Sequence, residues 1–142
     1  MRAESIFLPV CVLALWTGAV LAMTGLRRIF AVRAGRITSD AFRLGESPQV
    51  PADVSLPNRN LMNLLEMPVL FYVACLAAHV THRVTPSLAV LAWVYVGLRL
   101  THSAIHLTTN HVMGRLVAFA LSNFVLLFIW IGFLASLLRA RF

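Results

Sequence analysis

Seven polar side chains interrupt stretches that are otherwise apolar, and their spacing is regular. Arg59, Asn63 and Glu66 stand four and three residues apart; Arg99, His102 and His106 stand three and four apart; Arg115 opens the next apolar run. Residues three and four apart share one face of a helix. A charge held in hydrocarbon costs at least about 2.5 kcal/mol, so such groups turn toward a bundle interior or a cavity and find partners there. Glu66 and Arg99 are the expected couple, and an ion pair that only fixes helix register would account for them. Arg59 and Arg115 lie near the ends of their runs, where each alone is explained by snorkelling to headgroups. Together with Asn63, His102 and His106 they would form a cationic, hydrogen-bonding pocket. At the membrane surface, such a pocket suits an anionic soluble ligand meeting an apolar one dissolved in lipid.

The histidines raise the question of a metal. His102 and His106 have the spacing of a helical metal pair, but no cysteine or third carboxylate accompanies them at useful spacing. Haem would require axial histidines deep in facing helices, and His79, the available partner, lies toward the opposite end. No metal site is therefore expected. His82 and His111 read as turn residues. Cys11 and Cys75 sit inside apolar runs without a ligand motif and read as buried, inert thiols. Trp16, Trp93 and Trp130 read as core or lipid-facing residues without chemistry.

The elements that would position these groups are membrane spans. Of 142 residues, 60% are hydrophobic and 12% charged; a soluble domain carries about 25% charged residues. The length suits one domain of four spans of about 20 residues each with short connections. The first apolar run, Ile6 to Leu26, is followed by Arg27-Arg28 and is long for a signal peptide, which favours an uncleaved first helix. The expected spans are about 5–30, 58–80, 86–107 and 115–138. Residues Ala34 to Leu56 form the one polar stretch, a loop running to about residue 57, with Ser39-Asp40 as a candidate helix cap. Pro57 would stand near the start of the second span, and Pro68 would kink it. The expected fold is all-α: an integral membrane four-helix bundle.

All twelve basic residues are arginine, and the net charge is +7. They flank the apolar runs as membrane anchors do, which argues against nucleic acid as a partner. Arg27, Arg28, Arg33, Arg36, Arg43, Arg59 and Arg115 fall on the side of the first and third loops; Arg2, Arg83, Arg139 and Arg141 fall on the other. The positive-inside rule then places those loops in the cytoplasm and both termini outside, in the inner membrane if the cell is bacterial.

The segment Arg59-Asn60-Leu61-Met62-Asn63-Leu64-Leu65-Glu66, followed by Pro68, resembles the Arg-x3-Asn-x2-Glu signature of the second helix in the MAPEG family, the membrane-associated proteins of eicosanoid and glutathione metabolism. Arg99, His102, His106 and Arg115 are similar in spacing to the third and fourth helices of its microsomal prostaglandin E synthase branch, with His106 standing where that branch usually has tyrosine. The resemblance covers essentially the whole chain. It implies a four-helix bundle assembled as a homotrimer, with glutathione as co-substrate bound between subunits toward the cytoplasm. It further implies that Arg59, Asn63, Glu66, Arg99, His102 and His106 bind substrate or order its site, and that Arg115 is the catalytic residue that stabilises the thiolate.

The chemistry is consistent with that resemblance. A free thiol with a pKa of about 8.5 is mostly protonated at neutral pH, and the thiolate is the nucleophile. A guanidinium stabilises the thiolate and keeps its own proton, and other arginines can clamp the peptide's carboxylates. The electrophile, a lipophilic small molecule, arrives from the bilayer. The reading is a glutathione-dependent transferase or peroxidase acting on apolar electrophiles or lipid hydroperoxides. The alternative is a binding or transport bundle whose polar residues form a ligand or proton path.

Overall fold

The computed structural model describes residues 3–43, 45 and 47–139; Arg2 and Arg141, two of the arginines counted for orientation, lie outside them. The described residues form no strand. A 3-10 turn (Ala3–Ile6) runs into α1 (Phe7–Arg33). A second 3-10 turn (Ser39–Phe42) lies in the connection to α2 (Ala52–Leu65) and α3 (Met67–Val80). Then come α4 (Pro86–Leu107) and α5 (Val112–Arg139). The pairs Ala3–Arg33 and Ala52–Val80, with α4 and α5, make four helices long and apolar enough to cross a membrane. The protein is an all-α, multi-pass membrane bundle.

One buried stripe from each helix meets at the centre. Leu13 and Val20 of α1, Leu64 of α2, Phe71 and Cys75 of α3, Ala92 and Tyr95 of α4, and Ile129 of α5 form the core. Leu13 and Val20 are seven residues apart, two helical turns, which is why one face of α1 suffices. The outward faces remain apolar: Leu15, Leu21, Phe30, Phe124, Phe128 and Leu134 are all more than half exposed. Apolar surface of this extent has lipid as its natural solvent. Cys11, expected to be buried, is exposed on that outer face, whereas Cys75 is buried as expected; both are free thiols.

Prolines shape the second span. The helix starts at Ala52, earlier than the span expected from residue 58, so Pro57 lies inside α2 rather than at its start. Pro57 has no N–H for the carbonyl of Asp53, four residues back. That carbonyl instead accepts from Arg27 Nη1 at 2.8 Å. The Asp53 carboxylate accepts two bonds from Arg36, at 2.7 and 3.1 Å. Hydrogen bonding to Asp53, reinforced by its charge, holds the Arg36 guanidinium above its ordinary pKa. At Pro68 the effect is a full break: Glu66, with φ −87° and ψ −95°, separates α2 from α3.

The polar stretch is folded against this corner. Val50 and Val54 pack on Ala31, with Ile37 and Phe42 alongside, and the Arg28 guanidinium lies 4.8 Å above the Phe42 ring. The expected Ser39-Asp40 cap is not made: Thr38 precedes the 3-10 turn, and no side chain caps it. His82 sits in the α3–α4 turn with φ 57°, and Asn110 in the α4–α5 turn with φ 48°. At the end of the bundle away from the polar stretch, Arg83 Nη1 donates to the Ser136 carbonyl and ties the α3–α4 turn to α5.

Candidate functional site

At the end of the bundle that carries the polar stretch, α2, α4 and α5 enclose a pocket of about 490 Å³. Arg59 and Asn63 line it from α2, His102 and His106 from α4, and Arg115 from α5, with Leu116 and Phe119 as its apolar wall. Five of the seven residues expected from spacing thus meet in one place. The α4–α5 turn brings the last two turns of α4 beside the first two of α5, which is why His102, His106 and Arg115 converge.

Each polar group is held by a definite contact or by none. Arg115 Nη1 donates to Asn110 Oδ1 at 2.8 Å, so this side chain is anchored to the turn residue with the left-handed backbone. His102 Nδ1 lies 2.9 Å from the Arg115 carbonyl oxygen, which makes Nδ1 the donor. Asn63 Nδ2 donates to the Arg59 carbonyl at 2.9 Å. His102 and His106 are 3% and 2% exposed. His102 Nε2 and both ring nitrogens of His106 are buried without a partner among the described residues. Buried polar atoms are rarely left unpaired, so these three nitrogens leave hydrogen-bonding capacity unmet in two residues that line the pocket.

Glu66 and Arg99 depart from expectation. Arg99 is fully buried, but Glu66 is exposed, and the two form no ion pair. The break at Pro68 is the reason. It leaves the Asn63 carbonyl without the amide of a continuing helix, and Arg99 Nη2 donates to that carbonyl instead. The Arg99 guanidinium also lies 5.5 Å from the centre of the Phe119 ring. Arg99 therefore stands behind the pocket wall, bracing α2 against α4, and the exposed Glu66 lies outside ion-pair distance of it.

Three residues with no assigned role support the wall from the other side. Ser103 Oγ accepts from Trp16 Nε1 at 2.8 Å and from Asn60 Nδ2 at 2.5 Å. Asn60 and Ser103 are fully buried. This node joins α1, α2 and α4 immediately behind His102. Asn60 was visible in sequence as a polar residue beside Arg59, but its partners on two other helices were not. No group of three or more metal-ligating side chains occurs among the described residues.

The contacts above are those of a membrane bundle with a cationic pocket at one end, as the spacing of the arginines and histidines led us to expect. No curated protein and no solved structure matches the chain. The family model of the MAPEG family does match, over residues 6–135, nearly the whole length and including every residue of the pocket. The chain belongs to the MAPEG family.

Proposed function

We propose that the protein is a membrane-embedded, glutathione-dependent transferase or peroxidase. The observation that carries this reading is the convergence of Arg59, Asn63, His102, His106 and Arg115 on one pocket bounded by Leu116 and Phe119. Permanent cations suit a peptide with two carboxylates, and the apolar wall suits a second substrate delivered by lipid. Arg115 is the group placed to hold a thiolate, because its guanidinium is fixed by Asn110 and cannot release a proton. The pocket end faces the cytoplasm in this reading, with both termini outside, following the excess of arginines around the polar stretch. A homotrimer would close the open side of the pocket and give the exposed Glu66 a neighbouring subunit to meet.

The test uses the protein in lipid nanodiscs. Glutathione is expected to bind and to react there with a generic aryl halide. Arg115→Leu is expected to raise the apparent pKa of bound glutathione, followed by ultraviolet absorbance of the thiolate, and to slow conjugation on the order of a hundredfold. An unchanged titration with saturating glutathione would remove Arg115 from the mechanism. Binding without turnover of any electrophile would favour a binding or transport bundle instead.

A further inference from the structure

Thiolate formation leaves a proton to be placed, and Arg115 cannot take it. Among the described residues no carboxylate lines the pocket. The charged groups that face it are Arg59 from α2 and Arg115 from α5, with Arg99 of α4 behind Phe119; α1 contributes no residue to the lining. The acceptors that remain are the two imidazoles. A carbonyl oxygen only accepts, so the 2.9 Å contact with Arg115 puts the proton of neutral His102 on Nδ1. The lone pair is therefore on Nε2, which is buried and has no partner. An imidazole held through Nδ1–H to an oxygen, with Nε2 free, has the arrangement of a general base.

We propose that His102 Nε2 takes the thiol proton of glutathione bound beside Arg115 and holds it in the site for the leaving group. This rests on the transferase reading above and adds to it the path of the proton. The S–H bond breaks, its electron pair stays on sulfur, and the proton moves to Nε2. Thiolate and imidazolium appear together, so the net charge of the pocket is unchanged. That matters where the neighbours are arginines, because they oppose an imidazolium that has no anion beside it.

The stored proton favours one class of electrophile. With a lipid hydroperoxide, the thiolate sulfur attacks the terminal oxygen and the O–O bond breaks. The electron pair goes to the alkoxide, which takes the proton from Nε2 and leaves as an alcohol. Sulfur is oxidised to a sulfenic acid, and a second glutathione thiol condenses with it to give the disulfide and water. An aryl halide releases halide, which needs no proton. His102 thus directs the site toward electrophiles whose leaving atom is oxygen. His106, whose ring centre is 5.8 Å from that of His102, is the competing acceptor.

The experiment counts protons. Glutathione is added to the full-length protein in nanodiscs in weakly buffered solution, while thiolate absorbance and pH are recorded together. S-methylglutathione, which has no thiol proton, reports binding alone. For the wild type, thiolate should form with close to zero protons released per thiolate. With His102→Gln, at S-methylglutathione and glutathione concentrations raised to saturate the variant, thiolate either fails to form until the pH is raised or releases one proton each. At a pH giving equal thiolate, that variant should lose at least tenfold more hydroperoxide turnover than aryl halide turnover. One proton released per thiolate by the wild type overturns the inference without any variant. If His106→Gln rather than His102→Gln raises the count, the assignment to His102 is overturned. If neither glutathione nor its S-methyl derivative binds, the transferase reading itself fails, and the proton path with it.

Discussion

The second span contains two prolines eleven residues apart, and the molecule treats them differently. Pro57 leaves α2 continuous; the carbonyl it orphans, that of Asp53, is met by exposed Arg27. Pro68 ends α2, and the Asn63 carbonyl left at the break is met by buried Arg99. In both places a guanidinium from another helix replaces a missing amide. At the first, water can do the same work, because Asp53 and Arg27 are exposed. At the second the donor is Arg99, whose side chain is fully buried and reaches the carbonyl from α4. The same device is thus a convenience at the rim and a structural requirement beside the pocket.

The largest expected effect is at Arg99. Arg99→Leu takes from the Asn63 carbonyl the donor that meets it at the helix break, which costs about 1–3 kcal/mol. The loss is expected as lowered stability in detergent unfolding, together with weaker S-methylglutathione binding as the α2 wall loosens. Because Glu66 is not its partner, Glu66→Gln should add independently to Arg99→Leu. Recovery of stability in the double variant would restore the ion pair that the structure replaces.

Exchanging the prolines for alanine sharpens the contrast by sign. Pro57→Ala restores an amide for Asp53 and releases Arg27 to solvent, so it should be neutral or stabilising by up to about 1 kcal/mol. Pro68→Ala offers amides to α2 but takes from Arg99 the carbonyl that satisfies it. It should destabilise by about 1 kcal/mol or more despite removing a helix breaker. Two changes of the same sign, read by the same unfolding assay, would break the comparison.

The smallest effect is at the rim. Arg27→Leu should cost less than about 1 kcal/mol, and added salt should shrink the difference further. A loss equal to that of Arg99→Leu would mean that water does not reach the Asp53 carbonyl.

The spans and the pocket were legible in sequence because both are written in side chains. Apolar runs bounded by arginines gave the helices, and the three- and four-residue spacings put Arg59 with Asn63 and His102 with His106. What could not be read was the traffic to the main chain. Arg99 has a carboxylate in the neighbouring span, and sequence offers Glu66 as its partner; the carbonyl of Asn63 has no letter of its own and becomes available only where Pro68 breaks the helix. The early start of α2 was hidden for a related reason. Ala52 to Leu56 include polar residues and precede a proline, yet Val54 packs on Ala31 and Arg36 holds Asp53. The node of Trp16, Asn60 and Ser103 is a product of three helices meeting and leaves no periodic trace in any one of them.

The unequal lengths of α4 and α5 bear on the membrane the protein fits. α4 has 22 residues and α5 has 28. At 1.5 Å per residue these are about 33 and 42 Å, against a hydrocarbon core of about 30 Å. The short turn after Leu107 aligns the two helices at the pocket end, so the surplus of α5 lies at the other, where Arg83 meets Ser136 within it. It is α4, not α5, that sets the thickness the bundle matches. In a thicker bilayer the turn holding Thr81, His82 and Arg83 would be drawn into hydrocarbon first, while Arg139 still reached the headgroups. A bilayer much thicker than α4 would therefore strain the α3–α4 turn first, at the end farthest from the pocket.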